Sequence, residues 1–249
     1  MSLTIKSIIL VVASVVAIAL TLSLLIVNQI AVFFISFFSG MIIYMVWMQL
    51  KSKRLSNILE EKCNPVLYIE KCTKSHMSYP DYNKAVAYFS LGESSKAYDL
   101  LTTGEMPKKQ TQVMKLTYHC TLMCCYIENG DLDKAGLEYE NHIKAMRKGL
   151  LIQNIAFIVD FLHLEYQYMR NITPETSKYF LEQLRHLCYV NNKVLTKRQK
   201  LSVLYTEATL LEVIGDLESA TPKYQKVADE GNKLWVAELS RKKLGASIN

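Results

Sequence analysis

From Ser7 to Leu50 the chain carries no charged residue and no histidine. Such a stretch offers no ordinary water-facing surface, and it lacks the ionisable groups that mark ion or proton paths through a bilayer. A transporter or channel built from this chain alone is therefore disfavoured. Strand-like runs are also scarce and glycine is low, at nine residues, which argues against a β architecture. The chemistry-bearing motifs are missing as well: there is no glycine-rich phosphate loop, HExxH, GxSxG, kinase-like signature or CxxC pair. Accordingly no catalytic residue, metal ligand or cofactor is nominated, and the chain is not expected to be an enzyme.

What is present begins with two apolar runs of 21 residues, Ser7 to Val27 and Ile30 to Leu50, separated by Asn28-Gln29. At about 1.5 Å per helical residue each run spans roughly 30 Å, the thickness of a bilayer's hydrocarbon layer. Helix is the conformation expected, because two spans cannot close a barrel and unpaired backbone groups are costly in lipid. A cleavable signal peptide is disfavoured because the apolar segment is too long. Residues 1–54 therefore read as a transmembrane helical hairpin. Lys6 lies at one end and Lys51, Lys53 and Arg54 lie just past the other, so the positive-inside rule puts both termini in the cytoplasm of a two-span cell-membrane protein. Tyr44 and Trp47 suit the headgroup zone near the exit at Leu50. Ala13 with Ala17 and Ser36 with Gly40 are small residues four apart, which allow close helix packing within the hairpin or against another membrane protein.

The residues after Leu50 hold all 23 acidic and 28 of the 29 basic side chains. This mild positive balance, with no recognition motif, argues against a nucleic-acid partner. Six cysteines (Cys63, Cys72, Cys120, Cys124, Cys125 and Cys188) would suggest disulfides in a secreted chain, but a cytosolic setting implies free thiols. Neither Cys120/Cys124/Cys125 with His119 nor Cys63/Cys72 with His76 has a recognised zinc spacing. The five histidines are scattered over separate predicted helices. His163 and Asp160 make a polar pair at the rim of a packed helix, and His119 and Cys120, being adjacent, point apart.

Helix punctuation is frequent. Asn64-Pro65 and Thr173-Pro174 read as N-caps followed by proline, Thr196 with Gln199 as a capping box, and Lys144, Arg147 and Lys148 before Gly149 as a helix end. An internal pattern recurs at Gly92–Ala97, Gly130–Ala135 and Gly215–Ala220, with glycine five before alanine each time. Glycine permits a left-handed turn, Asp131 or Asp216 can cap the next helix, and alanine lets two helices cross closely. Tyr88, Tyr126 and Leu211 precede the glycines by four, and Leu101, Tyr139 and Tyr224 follow the alanines by four, which marks a packed interhelical face.

This pattern resembles the tetratricopeptide repeat (TPR), in which two helices meet at a similar turn. The chain departs from it in lacking the closing proline, in holding Asp81, His119 and Leu204 at the early aromatic slot, and in spacing its glycines 38 and 85 apart. A decayed turn at Asn171 would divide the longer interval and give about four irregular repeats. The fold class expected is thus all-α: the hairpin, juxtamembrane helices over 55–76, and a TPR-like α-solenoid over 77–249. Leu150 to Leu164 reads as a buried helix of that array, and Gly231 to Leu244 as an amphipathic helix covering its last repeat.

The resemblance implies a concave surface lined by the first helix of each repeat and filled by a partner's peptide or helix. Carried over, its positions are Tyr79, Tyr82, Val86 and Phe89, then Thr117, Cys120, Cys124 and Ile127, then Ser202, Tyr205, Thr209 and Glu212. The aromatic first group alternatively packs against Pro65 to Thr73. Two functions follow: a membrane-tethered adaptor recruiting a protein or peptide to the cytosolic face, or an accessory subunit docking through its hairpin onto a larger membrane complex.

Overall fold

The computed structural model describes residues 3–24, 29–74, 81–104, 111–148 and 152–246. Every regular element among them is helical. The chain divides into two units, Met1–Arg54 and Leu55–Asn249.

In the first unit α1 covers Leu3–Leu24, and α2, Gln29–Glu60, begins there. Over residues 11–20 of α1 and 33–50 of α2 most apolar side chains face outward, among them Val11, Val15 and Ile18 on α1 and Phe33, Phe34, Phe37 and Ile42 on α2. A helix apolar on every side has no favourable place in water. Among the described residues, Phe33–Glu60 is the one helical stretch long and apolar enough to cross a membrane, and Val11–Thr21 is a shorter apolar helix. Of the small residues, Ala13, Ser36 and Gly40 are exposed and Ala17 is half-buried. A Cβ added at Gly40 would meet nothing within 4 Å.

The second unit begins with the end of α2, whose Leu55 and Leu59 pack with Tyr68 and Cys72 of α3, Pro65–Thr73. Asn64 caps α3 by accepting from the Leu67 amide at 3.0 Å. Helical pairs follow. The first is α4 and α5 (Asp81–Ser90, Ser94–Thr103). The second is α6 and α7 (Gln112–Glu128, Leu132–Glu138), with a π-helical turn Tyr139–Ile143 leading into α8, Lys144–Arg147. The third is α9 and α10 (Gln153–Met169, Pro174–Asn191), and the fourth α11 and α12 (Lys197–Ile214, Leu217–Glu230). A last helix, α13, covers Trp235–Ala246. Gly149 and Leu150 lie outside the described residues.

The three recurring glycines make one turn three times over. Gly92, Gly130 and Gly215 adopt φ of 78°, 76° and 91°. In each case the glycine N–H donates to the carbonyl three residues back, and the next N–H to the carbonyl five back: Gly130 to Ile127 and Asp131 to Tyr126, for example, at 3.0 and 2.9 Å. That pattern satisfies the orphan carbonyls of a helix end and demands a residue that tolerates positive φ. Five residues on, Ala97, Ala135 and Ala220 are buried where the paired helices cross. Asp216 caps α12 through the Ser219 amide at 3.1 Å. Asp131 makes no such cap and pairs with Lys134 at 2.9 Å. The third pair has no glycine; its turn at Asn171 is fixed by Thr173 and Thr176, which exchange capping-box hydrogen bonds at the start of α10.

Three of the hydrophobic clusters span neighbouring pairs. Leu122 and Cys125 of α6 pack with Ala85, Ala97 and Leu101 of the first pair, and Leu116, Met123 and Ile127 pack with Ala135, Ile143 and Val159. The α9 stretch is the buried helix expected, with Phe157, Val159 and Leu162 nearly inaccessible. A further feature is that the beginning and end of the unit meet. The Lys233 amide donates to the Cys63 carbonyl at 3.2 Å, and the Asn232 side chain to the Lys62 carbonyl at 2.9 Å. Cys63 joins Leu201, Val227, Leu234 and Ala237 in one cluster. Cys63 and Asn232 are also the two non-glycine residues among those described with positive φ, at 52° and 50°. Strained backbone of this kind persists where its surroundings over-determine it.

Candidate ligand cavity

The first helices of the four pairs, together with α13, surround a cavity of about 450 Å³. Val86 and Phe89 enter from α4, Thr117, Cys120 and Cys124 from α6, Phe157, Phe161 and Glu165 from α9, Arg198, Ser202 and Tyr205 from α11, and Trp235 and Leu239 from α13. The sequence-derived positions thus divide. Val86, Phe89, Thr117, Cys120, Cys124, Ile127, Ser202 and Tyr205 all line this cavity. Tyr82 does not; it packs in the cluster between α4 and α5. Thr209 and Glu212 are engaged behind the lining, where the Tyr224 hydroxyl donates to both and Lys243 pairs with Glu212 at 2.7 Å. Tyr79 lies outside the described residues. The alternative of ring packing on α3 is not what the described rings do, since Tyr82 and Phe89 join the cluster shared by α4, α5 and α6; Val86 touches the α3 cluster as well as the cavity.

An open concave groove and this cavity differ because of α13. Trp235 comes so close to Gly92 that an added Cβ there would lie 2.6 Å from its ring carbons. The closing helix therefore covers the first pair as well as the last. Sequence reasoning missed the whole α9 contribution, because groove positions were carried over only where a glycine turn set the register. The one available signal was that the apolar run to Leu164 ends at Glu165.

The cavity's electrostatics follow from that apolar wall. Burial, then the charge of Glu128, raises the Glu165 carboxyl to about 7. Burial likewise pushes the Cys120 thiol to about 12 and raises Cys124 well above its usual value. Both thiols are protonated at neutral pH, so neither is a ready nucleophile. The other titratable or charged groups facing Glu165 are Arg198 and Tyr205 from α11, and Arg198 is committed to Glu60 through bonds of 2.9 and 3.1 Å. A half-ionised carboxyl beside apolar surface is suited to a cationic or hydrogen-bond-donating group on an otherwise apolar ligand. The volume lies in the range of small-ligand sites.

A pH dependence follows. Folded Glu165 holds a proton that the unfolded chain gives up near its ordinary value of 4.5, so its contribution to stability falls as pH rises from there through about 7. Glu165→Gln is expected to raise the thermal unfolding midpoint at pH 8 and to change it little at pH 4.5. Circular dichroism melts of the full chain in detergent at both values check this; an equal shift at both would refute it.

Comparison of the chain with protein-family models, with curated proteins and with solved structures finds no match.

Proposed function

We propose that this chain is a membrane-anchored, non-enzymatic adaptor. Its first unit forms a two-span hairpin with both termini cytoplasmic, and its second, a TPR-like array of about four irregular repeats, holds an apolar segment of a protein or peptide partner. The observation that carries this reading is the cavity walled by the first helix of each successive pair, with the carboxyls of Glu165 and Glu128 on its lining. Such a wall favours a partner segment with apolar side chains and one basic group, since the carboxyl gains most from a cation in a water-poor site. The membrane side is supported by the apolar outer faces of α1 and α2 and by Lys51, whose ammonium sits 5.1 Å from the Trp47 ring centre at the expected exit.

The test is recovery of a partner from detergent extract by the intact chain and by Ser202→Trp, which fills the cavity without touching the helix turns. Recovery is expected to fall at least about tenfold, equivalent to 1.4 kcal/mol, with the melting curve unchanged. Equal recovery by the two proteins would sink the cavity assignment. The accessory-subunit reading separates cleanly: replacing residues 1–54 by an unrelated two-span anchor abolishes function if the hairpin is the interface and preserves it if the hairpin is a tether.

A further inference from the structure

The second helical pair assembles a group of side chains that no sequence motif announces. His119 on α6, Glu138 at the end of α7 and His142 in the π-helical turn bring their donor atoms within 4.8 Å of one another. His119 Nδ1 bonds directly to the Glu138 carboxylate, and the two imidazole rings stack with centres 4.4 Å apart. His119 and Glu138 are half-buried and His142 is exposed. The wider turn carries a hydrogen bond from the Lys144 amide to the Tyr139 carbonyl, five residues back. Insertions of this kind are frequent at functional sites.

We propose that His119, Glu138 and His142 bind a divalent transition-metal ion of the zinc class. Two imidazoles and one carboxylate are a donor set that suits zinc and its neighbours, and they leave a coordination position for water or a further ligand. With bonds of about 2.0–2.1 Å, tetrahedral donors stand about 3.3 Å apart. Reaching that spacing takes two adjustments: the Glu138 carboxylate draws back from His119 Nδ1 to admit the ion between them, and the exposed His142 ring turns out of its stack on His119. The ion would join α6 to the π-helical turn through three bonds, on the face of α6 away from Thr117, Cys120 and Cys124. It would stiffen the pair whose inner helix walls the cavity. This site stands independently of the adaptor reading, because none of its three residues lines the cavity.

The competing account of the same geometry is a plain histidine–carboxylate ion pair with a second ring stacked on it. Titration of the metal-free full chain in detergent with Co²⁺, followed by displacement with Zn²⁺, separates the two. The proposal expects one ion per chain, visible d–d bands, and no thiolate charge-transfer band. It also expects a higher melting temperature with Zn²⁺. His142→Ala, whose exposed position should leave the fold intact, is expected to weaken binding at least about 100-fold, beyond what loss of a supporting outer-shell group costs. Glu138→Gln should weaken it while keeping a hydrogen bond to His119. A variant with Cys120, Cys124 and Cys125 all replaced by alanine should bind as the parent does. Binding that survives His142→Ala, a thiolate band, or no saturable binding at micromolar metal would each overturn the assignment.

Discussion

Replacing Arg198 by methionine is expected to destabilise the second unit by about 3 kcal/mol at pH 7, the scale for stripping one partner from a largely buried ion pair. Arg198 donates to Glu60 Oε1 from two nitrogens, at 2.9 and 3.1 Å, and the Thr196 hydroxyl donates to Oε2 at 2.7 Å. Both partners are only about one-fifth exposed, at 18% and 21%. Burial pushes the Glu60 carboxyl up, but the Arg198 charge and the hydrogen bonds from Arg198 and Thr196 outweigh it and leave it below its ordinary value. Its stabilisation is therefore complete above about pH 4.5 and is lost as the pH falls through the lower, folded value. In Arg198→Met the carboxyl keeps the burial and loses the cation. The gap between parent and variant should be widest near neutrality and narrow toward pH 4, as read from urea midpoints. A second expectation discriminates the cause: adding Glu60→Leu to Arg198→Met should recover most of the loss, because the cost lies in the orphaned charge. If the double variant is no more stable than the single one, the packing of the arginine stem matters more than its charge.

That pair also shows what kind of information the sequence carries. Three sets of features were legible because they are local. Asn64, Thr173 and Thr196 cap the helices that follow them, and the three glycines sit in left-handed turns that few other residues tolerate. The two apolar runs announce α1 and the first part of α2. Helix α2 continues past Leu50 to Glu60, since Lys51, Lys53, Arg54 and Leu55 are good helix formers and charge ends an apolar run without ending a helix. Features that depend on pairing distant parts left no pattern. Glu60 with Arg198, Cys63 with Lys233 and Gly92 with Trp235 join points more than a hundred residues apart, and with them the first pair comes under α13. His119 and His142 read as scattered along the chain, and Glu138 belongs to no motif, because it takes the α6–α7 hairpin to fold the three together. The third pair was half legible: Asn171 suggested a turn, but without a glycine nothing set the register that would have placed Phe161 and Glu165 on the cavity wall.

The glycine turns supply the other large expected effect, because three positions equivalent in sequence are not equivalent in space. Alanine at Gly130 or Gly215 meets nothing within 4 Å of its Cβ, so its cost is the left-handed backbone alone, about 1 kcal/mol. At Gly92 the same backbone cost applies at φ of 78°, and the new Cβ also lies 2.6 Å from the Trp235 ring. Overpacking adds about 1–3 kcal/mol, which brings Gly92→Ala to about 3 kcal/mol. For a unit of this size that corresponds to a fall of roughly 9 °C in Tm, against roughly 3 °C for the other two. Trp235 also lines the cavity, so on the adaptor reading proposed above displacing it should loosen the partner's hold in Gly92→Ala and leave it intact in Gly130→Ala. A double-mutant cycle isolates the contact. In a Trp235→Ala background the cost of Gly92→Ala should drop to that of the other glycines, giving a coupling of about 2 kcal/mol. Equal costs at all three glycines in the parent chain, or no coupling to Trp235, would mean that α13 does not close over the first helical pair in solution.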